Sequence, residues 1–241
     1  MVEAGGRHAL VVGASSGIGK AVVERLAPNH AVTALARRLD RLEALTPLGV
    51  DIAGCDAADF DALAAAMEAA VTRRGKISSI VLCAGVQKIK PMRIARPDEI
   101  GELLRINLHV PLVLAGLFSS RRLTTDDAVF CAVSSIAATR PEPGIIAYSA
   151  AKAGLEAMIK GLAREAAPRR AVAVAPGWLD TEMTQAYATI YNDGFQEQLR
   201  KSAPRGIATV EAVVDCIEFL LSPAAAYITG EVVRVDGGAS L

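Results

Sequence analysis

Aromatic residues are scarce in this chain of 241 residues, at 4% of the sequence. The formal net charge is zero, because 26 lysines and arginines balance 26 aspartates and glutamates. A protein that binds nucleic acid by stacking and phosphate contacts needs aromatic side chains together with an excess of basic ones. The composition therefore predicts no nucleic-acid partner and no general attraction to an anionic membrane.

Long apolar runs are also missing, and the first residues, MVEAGGRHALVVGASSG, contain no basic run followed by an apolar one. We expect neither a membrane span, which needs about 20 apolar residues, nor a signal peptide. Cysteine and histidine are few and widely spaced: Cys55, Cys83, Cys131, Cys216, His8, His30 and His109. They form no CxxC pair or zinc pattern, which predicts free cysteines, no bound metal and a cytoplasmic location.

Short apolar runs alternate with longer stretches rich in alanine and leucine. The runs lie at 7–13, 31–36, 49–55, 77–85, 128–135, 170–177 and 231–238. Continuous apolar runs are typical of strands whose two faces are both covered by helices. We predict one α/β domain over residues 1–241, a Rossmann-type doubly wound parallel sheet of about seven strands flanked by helices.

The first predicted strand leads into VVGASSGIGK, with Gly13, Gly17 and Gly19 between the strand and a helix. Glycine allows the backbone turn and the close approach of a pyrophosphate, whose charge meets the N–H groups at the start of the helix. The spacing is G-x3-G-x-G, one residue different from the G-x-G-x-x-G form. We predict a dinucleotide site here; a turn with a structural role alone is the alternative.

The end of the second predicted strand distinguishes NAD from NADP. An acidic residue there would bind the ribose 2′-hydroxyl and repel a 2′-phosphate. This chain has Ala36, Arg37 and Arg38 instead, and the planar guanidinium suits a phosphate dianion. NADP(H) is therefore favoured over NAD(H), unless both arginines merely begin the next helix in solvent.

Tyr148 and Lys152 are four residues apart in AYSAAKAG, among side chains too small to cover either. On a helix both point to the same face. A phenol has a pKa of about 10, and a neighbouring ammonium lowers it. The spacing is compatible with a proton-transfer pair, although a surface pair on an alanine-rich helix has the same pattern.

Taken together, these motifs resemble the short-chain dehydrogenase/reductase family over essentially the whole chain, and within it the 3-oxoacyl-(acyl-carrier-protein) reductases. The matching segments are GASSGIG at 13–19, Asp56, CAG at 83–85, Asn107, Ser135, YSAAK at 148–152, PGWLDT at 176–181 and VDGG at 235–238. One departure is Leu82–Cys83, where the family usually has two asparagines. The missing amide removes a polar brace beside the cofactor loop.

The resemblance implies a catalytic tetrad of Asn107, Ser135, Tyr148 and Lys152. Tyr148 would be the proton donor and acceptor, Lys152 would stabilise its phenolate and hold the cofactor ribose, and Ser135 would bind the substrate oxygen. Asp56 would meet the adenine and Thr181 the nicotinamide carboxamide. The implied cofactor residues are Gly13, Ser15, Ser16, Gly17, Ile18, Gly19, Arg37, Arg38, Asp56, Ala57, Ala84, Gly85, Tyr148, Lys152, Pro176, Gly177, Leu179 and Thr181.

Pro111 lies four residues after Asn107 and has no N–H, so the Asn107 carbonyl loses its usual helical partner. We hypothesise that this carbonyl binds a water that leads to Lys152. A proline kink without a catalytic role is the alternative.

Two segments concern the substrate. The resemblance implies a lid at about 182–206, where Tyr187, Tyr191 and Phe195 form a stripe of helical spacing that could equally pack on the core. The stretch 87–97 is basic, through Lys88, Lys90, Arg93 and Arg96. These side chains could meet the phosphates of a carrier-linked thioester, or they could simply be a solvated charged surface.

The expected function is the NADP(H)-dependent interconversion of a ketone and a secondary alcohol, with a 3-oxoacyl thioester as the first substrate class. A sugar, a steroid or another secondary metabolite is the alternative substrate, and a non-catalytic NADP-binding sensor or regulator is the alternative from another class. The resemblance also implies a homo-oligomer, a tetramer or dimer, with the predicted helices 98–123 and 147–167 pairing between copies.

The cofactor preference can be tested by kinetics. We expect the ratio of kcat/KM for NADPH to that for NADH to favour NADPH. The ratio should fall about tenfold in Arg37→Ala if that guanidinium binds the 2′-phosphate, because a charge-assisted hydrogen bond is lost. A preference for NADH that survives in Arg37→Ala would contradict the assignment.

Overall fold

Seven parallel strands form one sheet in the computed structural model, which describes residues 7–179, 181–182, 194, 197, 201 and 203–241. The strands are β1 His8–Val12, β2 Ala31–Ala36, β3 Asp51–Gly54, β4 Ile77–Leu82, β5 Thr124–Val133, β6 Arg170–Pro176 and β7 Val232–Val235. Their order in the sheet is β3-β2-β1-β4-β5-β6-β7. The direction of winding reverses between β1 and β4, which is where such sheets bind ligands.

Helices cover both faces of this sheet. They are α1 Gly17–Leu26, α2 Leu39–Glu43, α3 Phe60–Arg74, α4 Pro97–Leu104, α5 Val110–Phe118, α6 Ile146–Glu165 and α7 Val210–Leu221. Asp59 begins α3 by accepting a hydrogen bond from the N–H of Ala62 at 3.0 Å, and Thr209 begins α7 in the same way through Ala212 at 3.1 Å. The predicted Rossmann-type doubly wound sheet is confirmed.

The apolar runs of the strands serve two cores, one on each face of the sheet. Along β1, Ala9 and Val11 belong to the core beneath α1 and α7, whereas Leu10 and Val12 belong to the core beneath α3, α5 and α6. Successive strand residues point to opposite faces, so a strand buried on both sides must be apolar throughout. The site residues at the strand ends are thus carried on a close-packed support.

A π-helical turn at Arg105–His109 joins α4 to α5. The N–H of Val110 donates to the carbonyl of Arg105, five residues back. Pro111 has no N–H with which to bond the Asn107 carbonyl in the α-helical pattern. The irregularity that Pro111 predicts at Asn107 therefore takes the form of a wider turn, a feature frequent at functional sites.

The sequence placed the start of β5 too late. The strand begins at Thr124, whereas the predicted strand begins at 128. The prediction missed the first four residues, TTDD, because they are polar and do not continue the apolar run. Thr124 is nevertheless buried, and its hydroxyl donates to the Phe118 carbonyl at 2.7 Å. It pairs with Ile77, and the register then shifts before Ser79.

Within the described residues, Pro97–Phe118 is long and apolar enough to cross a bilayer, with a mean hydropathy of 1.4 over its best window. The sequence prediction recognised no such stretch, because Glu102 and Arg105 interrupt the apolar residues. Leu114 and Phe118 are buried in the core, and a core helix meets the same criterion. The exposed positions of this stretch are mainly charged, polar or glycine, among them Glu102 and Arg105, and Leu112 is its exposed large apolar residue.

His8 is a buried polar residue at the end of the sheet opposite the predicted site. Its Nδ1 lies 2.8 Å from the Gly75 carbonyl and its Nε2 3.0 Å from the Thr33 hydroxyl. Burial lowers the pKa of this imidazole below its usual value of 6.5, partly opposed by the hydrogen bond to Gly75. The folded chain therefore favours the neutral ring.

This burial predicts a loss of stability in mild acid. Below pH 6.5 His8 takes up a proton in the unfolded chain but resists protonation in the folded chain. The free energy of unfolding is therefore highest above that pH and decreases as the pH falls towards the folded pKa. Urea denaturation at pH 7.5 and 5.0 should show a larger loss of unfolding free energy for the wild type than for His8→Gln. An equal loss in both proteins would contradict the role of His8.

Candidate active site

The carboxyl ends of β1, β2, β4, β5 and β6 open onto a cavity of about 370 Å³. Ser135, Tyr148 and Lys152 line it, together with every residue that the resemblance assigned to the cofactor. Asn107 does not line it, although its neighbour Ile106 does. A cleft of this size at the reversal of the sheet is where a dinucleotide and a small substrate would fit.

The three glycines of the first turn have different structural tasks. Gly13 has φ +91°, and a Cβ there would lie 2.5 Å from the backbone nitrogen of Ala84. A Cβ on Gly19 would lie 2.2 Å from the Gly13 carbonyl oxygen. Gly17 has φ +51°, but a Cβ there would meet only the methyl of Thr181, at 3.9 Å. Gly13 and Gly19 therefore let backbones pack together, whereas Gly17 faces the cavity.

The N-terminus of α1 is arranged to receive an anion. Ser16, at the cap position, makes no side-chain hydrogen bond to the helix. Instead, its hydroxyl and that of Ser15 accept from the Arg38 guanidinium at 2.8 and 3.0 Å. The first N–H groups of α1 lie beside the cavity, and the positive helix end together with Arg38 fits a pyrophosphate with a further phosphate nearby.

Asp56 and Ala57 follow β3 at the other side of this region. Asp56 is exposed, and one of its carboxylate oxygens accepts from the N–H of Ala58 at 3.0 Å. The turn thus holds the carboxylate at the cavity wall with its second oxygen still available to a ligand. Asp56 therefore lines the cavity, and its contact with the adenine stays a prediction.

Tyr148 and Lys152 are both buried on one face of α6, at 8% and 5% exposure. The Lys152 Nζ is 5.7 Å from the centre of the Tyr148 ring and donates to the Val133 carbonyl at 2.8 Å. Burial lowers the pKa of Lys152 to about 8, opposed by Cys83 and by the carboxylate of Glu156. The lysine is thus still an ammonium at neutral pH.

Cys83 occupies one of the two positions where the family usually has asparagine. Burial raises the pKa of its thiol to about 12, so the thiol is neutral at neutral pH and Glu156 supplies the opposing charge near Lys152. The loop that follows is braced by Asn107. The Asn107 side chain donates to the Val86 carbonyl at 2.8 Å and accepts from the Val86 N–H at 3.2 Å.

Asn107 is buried in the π turn and also donates to the Leu103 carbonyl at 3.0 Å. A Cβ on Gly85 would lie 3.0 Å from the Asn107 side-chain oxygen and 3.6 Å from the Lys152 Nζ. Asn107 and Lys152 therefore approach the same glycine from two helical segments. The water between the Asn107 carbonyl and Lys152 stays a prediction.

Ser135 lies just beyond β5 and begins a short 3₁₀ turn. Its hydroxyl oxygen accepts from the N–H of Ala137 at 3.2 Å, so its proton can be donated towards the cavity. The preceding residue, Ser134, is fixed in the core: its N–H donates to the Val174 carbonyl and its hydroxyl donates to Glu156, both at 2.7 Å. The end of β5 is thereby held in place beside α6.

The segment after β6 closes the cavity from the other side. The N–H of Gly177 donates to the Val235 carbonyl at 3.1 Å, and a Cβ on Gly177 would lie 2.9 Å from the Asp236 Cβ. Asp236 in turn accepts from the N–H groups of Gly238 and Ser240, each at 2.9 Å. The turn beginning Pro176–Gly177 therefore depends on glycine and on the C-terminal VDGG segment.

Several cavity residues were not predicted as site residues: Gln87, Arg140, Glu142, Trp178, Glu182 and Asp236. Arg140 donates to the Ala239 carbonyl, and Glu182 accepts from Arg38 and Arg41. These contacts join residues 99 to 144 positions apart, so no local pattern indicates them. Of these residues, Glu182 alone could have been predicted to lie near the cavity, because it directly follows Thr181.

Two predictions about the substrate side have different outcomes. Tyr187, Tyr191 and Phe195, and most of the predicted lid, lie outside the described residues. The basic stretch 87–97 is largely neutralised by neighbouring acids, since Lys88 binds Glu102 at 2.7 Å and Lys90 binds Glu99 at 2.5 Å. The described part of the chain contains no group of three or more His, Cys, Asp or Glu that could hold a metal ion.

Comparison with known proteins gives concordant matches. A family model described as enoyl-(acyl carrier protein) reductase matches residues 13–240. The chain is 33% identical over 235 residues to an acetoacetyl-CoA reductase of Synechocystis sp., covering 95% of this chain and 94% of that one. It is 30% identical over 240 residues to the 3-oxoacyl-(acyl-carrier-protein) reductase FabG of Escherichia coli, covering 97% of each. A solved short-chain dehydrogenase/reductase from Serratia marcescens has a TM-score of 0.90 and 30% identity, covering 98% of both chains.

The glycine geometry predicts two distinct mutant phenotypes. Gly13→Ala should lower the thermal midpoint strongly, because its Cβ would overlap the backbone of Ala84. Gly17→Ala should fold with a smaller loss, about 1 kcal/mol for a positive φ, yet bind dinucleotide more weakly.

Thermal unfolding and calorimetric titration with NADPH distinguish the two variants. Gly49→Ala is a suitable control, because Gly49 also has a positive φ, +74°, but has nothing within 4 Å of the added Cβ. Equal stability of Gly13→Ala and Gly49→Ala would contradict the proposed packing role.

Proposed function

The chain belongs to the short-chain dehydrogenase/reductase family of oxidoreductases, and from this premise we propose that it is an NADP(H)-dependent reductase of a 3-oxoacyl thioester. The observation that carries the proposal is the convergence of Ser135, Tyr148 and Lys152 on one cavity that also contains the glycine-rich turn. A protein that only bound a dinucleotide would need the turn but not these three side chains.

The proposed chemistry divides between the cofactor and the chain. The reduced nicotinamide, when bound, supplies the hydride that a carbonyl carbon accepts. Tyr148 then gives its phenolic proton to the carbonyl oxygen, which becomes the hydroxyl of a secondary alcohol. The Lys152 ammonium stabilises the resulting phenolate, and the Ser135 hydroxyl donates to the same substrate oxygen as negative charge develops on it.

The proposed roles agree with the electrostatics of the site. A phenolate needs a cation nearby, and the Lys152 ammonium lies 5.7 Å from the Tyr148 ring with little exposure to water. Low exposure strengthens charge interactions because the local dielectric constant is below that of water. Asn107 is proposed as a positioning residue, since its side chain is engaged with Val86 and Leu103.

The preference for NADP(H) is supported by the basic end of β2. Arg38 lies against Ser15 and Ser16 at the start of α1, and Arg37 lines the same cavity. No acidic residue occupies positions 36–38, where a carboxylate would select the 2′-hydroxyl of NAD(H). Arg38 is thus the stronger candidate of the two for contact with the 2′-phosphate.

The substrate class is supported by the relatives. One is named as an acetoacetyl-CoA reductase and another as a 3-oxoacyl-(acyl-carrier-protein) reductase. The lining of the cavity includes Ile136, Ile145 and Trp178, and these apolar surfaces suit an acyl chain better than a hydroxylated sugar. The cytoplasmic location stays a prediction.

We also propose that two copies associate through the outer face of α4 and α5. This face is a shallow groove lined by Leu104, Leu108 and Leu112 together with Glu102, Arg105 and His109, and Leu112 is 47% exposed. Contact with a second copy would remove these side chains from water. Light scattering on purified protein tests this association, and a monomer at micromolar concentration would contradict it.

Loss of the phenol should abolish turnover without preventing cofactor binding. Tyr148→Phe is expected to reduce kcat with acetoacetyl-CoA and NADPH about a hundred- to ten-thousand-fold, the usual contribution of general acid catalysis. The Kd for NADPH, measured by fluorescence, should change little.

Tyr227→Phe is the matched control, because Tyr227 is fully exposed and outside the cavity. Unchanged turnover in Tyr148→Phe would contradict the proposed acid. Absence of turnover by the wild type on this thioester and on a panel of ketones, with NADPH still bound, would favour a non-catalytic sensor instead.

A further inference from the structure

Glu182 bridges two arginines at the end of the cavity where the adenosine ribose would bind. It directly follows Thr181, and one of its carboxylate oxygens accepts from Nη1 of Arg38 at 3.2 Å. The other oxygen accepts from Nη1 of Arg41, in α2. The carboxylate therefore accepts a hydrogen bond from the Nη1 atom of each guanidinium group.

The other donor atoms of Arg38, Nε and Nη2, bind the glycine-rich turn. Its Nε donates to the Ser15 hydroxyl at 3.2 Å, and its Nη2 donates to Ser15 and Ser16 at 3.0 and 2.8 Å. The two serines fix the guanidinium against the glycine-rich turn. The edge directed away from the turn carries Nη1, and Glu182 occupies it.

A phosphate and a carboxylate bind a guanidinium in the same way, through oxygens that accept from its planar set of N–H groups. A 2′-phosphate held by Arg38 and Arg41 would therefore meet the Glu182 carboxylate at the donors it needs. It must either displace that carboxylate or remain beside a like charge. The neutral 2′-hydroxyl of NAD(H) faces no such competition.

We propose that Glu182 is a specificity-determining residue that competes with the 2′-phosphate of NADP(H) for Arg38 and Arg41. The proposal rests on the NADP(H) preference proposed above and adds an opposing element to it. The arginines favour the phosphate, while Glu182 reduces that advantage and leaves the binding of NAD(H) unaffected. Specificity between two similar ligands commonly depends on such a repulsive element as well as on attraction.

Glu182 is suited to this role because it stays charged. Its hydrogen bonds to Arg41 and Arg38 hold the pKa of the carboxyl below its usual value of 4.5. The carboxylate is about half exposed, at 53%, so the ion pairs are screened by salt and can be opened by a ligand.

Nucleotide fragments test the proposal without involving catalysis. The full chain and Glu182→Gln are titrated calorimetrically with 2′,5′-ADP and with 5′-AMP, which differ only by the 2′-phosphate. We expect the Kd of Glu182→Gln for 2′,5′-ADP to be about three- to tenfold lower than that of the wild type at low salt, as two exposed ion pairs imply. The Kd for 5′-AMP should be unchanged, and the effect should shrink in 0.5 M salt.

Glu218→Gln is the matched control. It removes one exposed carboxylate from an ion pair, with Arg25 in α1, and Glu218 does not line the cavity. Both variants replace an exposed carboxylate by its isosteric amide, so both should fold, and circular dichroism verifies this.

The outcomes separate the two proposals. Weaker binding of 2′,5′-ADP by Glu182→Gln, or an equal change for both nucleotides, would overturn the role of Glu182 and show that it only positions the arginines. A wild type that binds 2′,5′-ADP no better than 5′-AMP would contradict its NADP(H) preference. If Glu182→Gln then gained a preference for 2′,5′-ADP, the competition by Glu182 would still be supported.

Discussion

The site depends on keeping one ammonium charged away from water. Lys152 is 5% exposed, and burial alone would favour its neutral form. The Lys152 Nζ donates a hydrogen bond to the Val133 carbonyl at 2.8 Å, and the Glu156 carboxylate opposes the loss of charge. With a pKa of about 8 the lysine remains a cation at neutral pH. Several separate elements thus preserve the cation beside Tyr148, and the acid role proposed for Tyr148 depends on it.

Those elements are held together by the packing at the reversal of the sheet. The turn after β1 contacts the end of β4 so closely that Gly13 admits no side chain, and the loop after β4 is in turn braced by Asn107. Glu156 accepts from Ser134, which fixes the end of β5 just before Ser135. The glycine-rich turn and the side chains of Ser135, Tyr148 and Lys152 are thus parts of one packed unit. A substitution at one of these strand ends would therefore shift residues at the others.

The sequence was informative wherever a function depends on neighbours along the chain. The apolar runs predicted all seven strands, and the spacing of Tyr148 and Lys152 predicted their common face, because both patterns are local. The structure of the Asn107 turn was only partly predictable: Pro111 indicates a missing hydrogen bond, but not that a π turn would replace it. The contact of Glu182 with Arg38 depends on tertiary folding over 144 positions and has no local pattern.

The way in which this chain uses charge links its composition to its specificity. The charges of this chain sum to zero, and many of them are also paired in space, as in the basic stretch 87–97, where Lys88 and Lys90 bind Glu102 and Glu99. Paired charges produce little field at a distance, so they cannot attract an anionic partner until a pair opens. A related pairing is present after β2, where Arg38 and Arg41 share the single carboxylate of Glu182. In the proposed competition, a phosphate would either displace the Glu182 carboxylate or remain beside it, and the selectivity would depend on how weakly Arg38 and Arg41 hold that carboxylate.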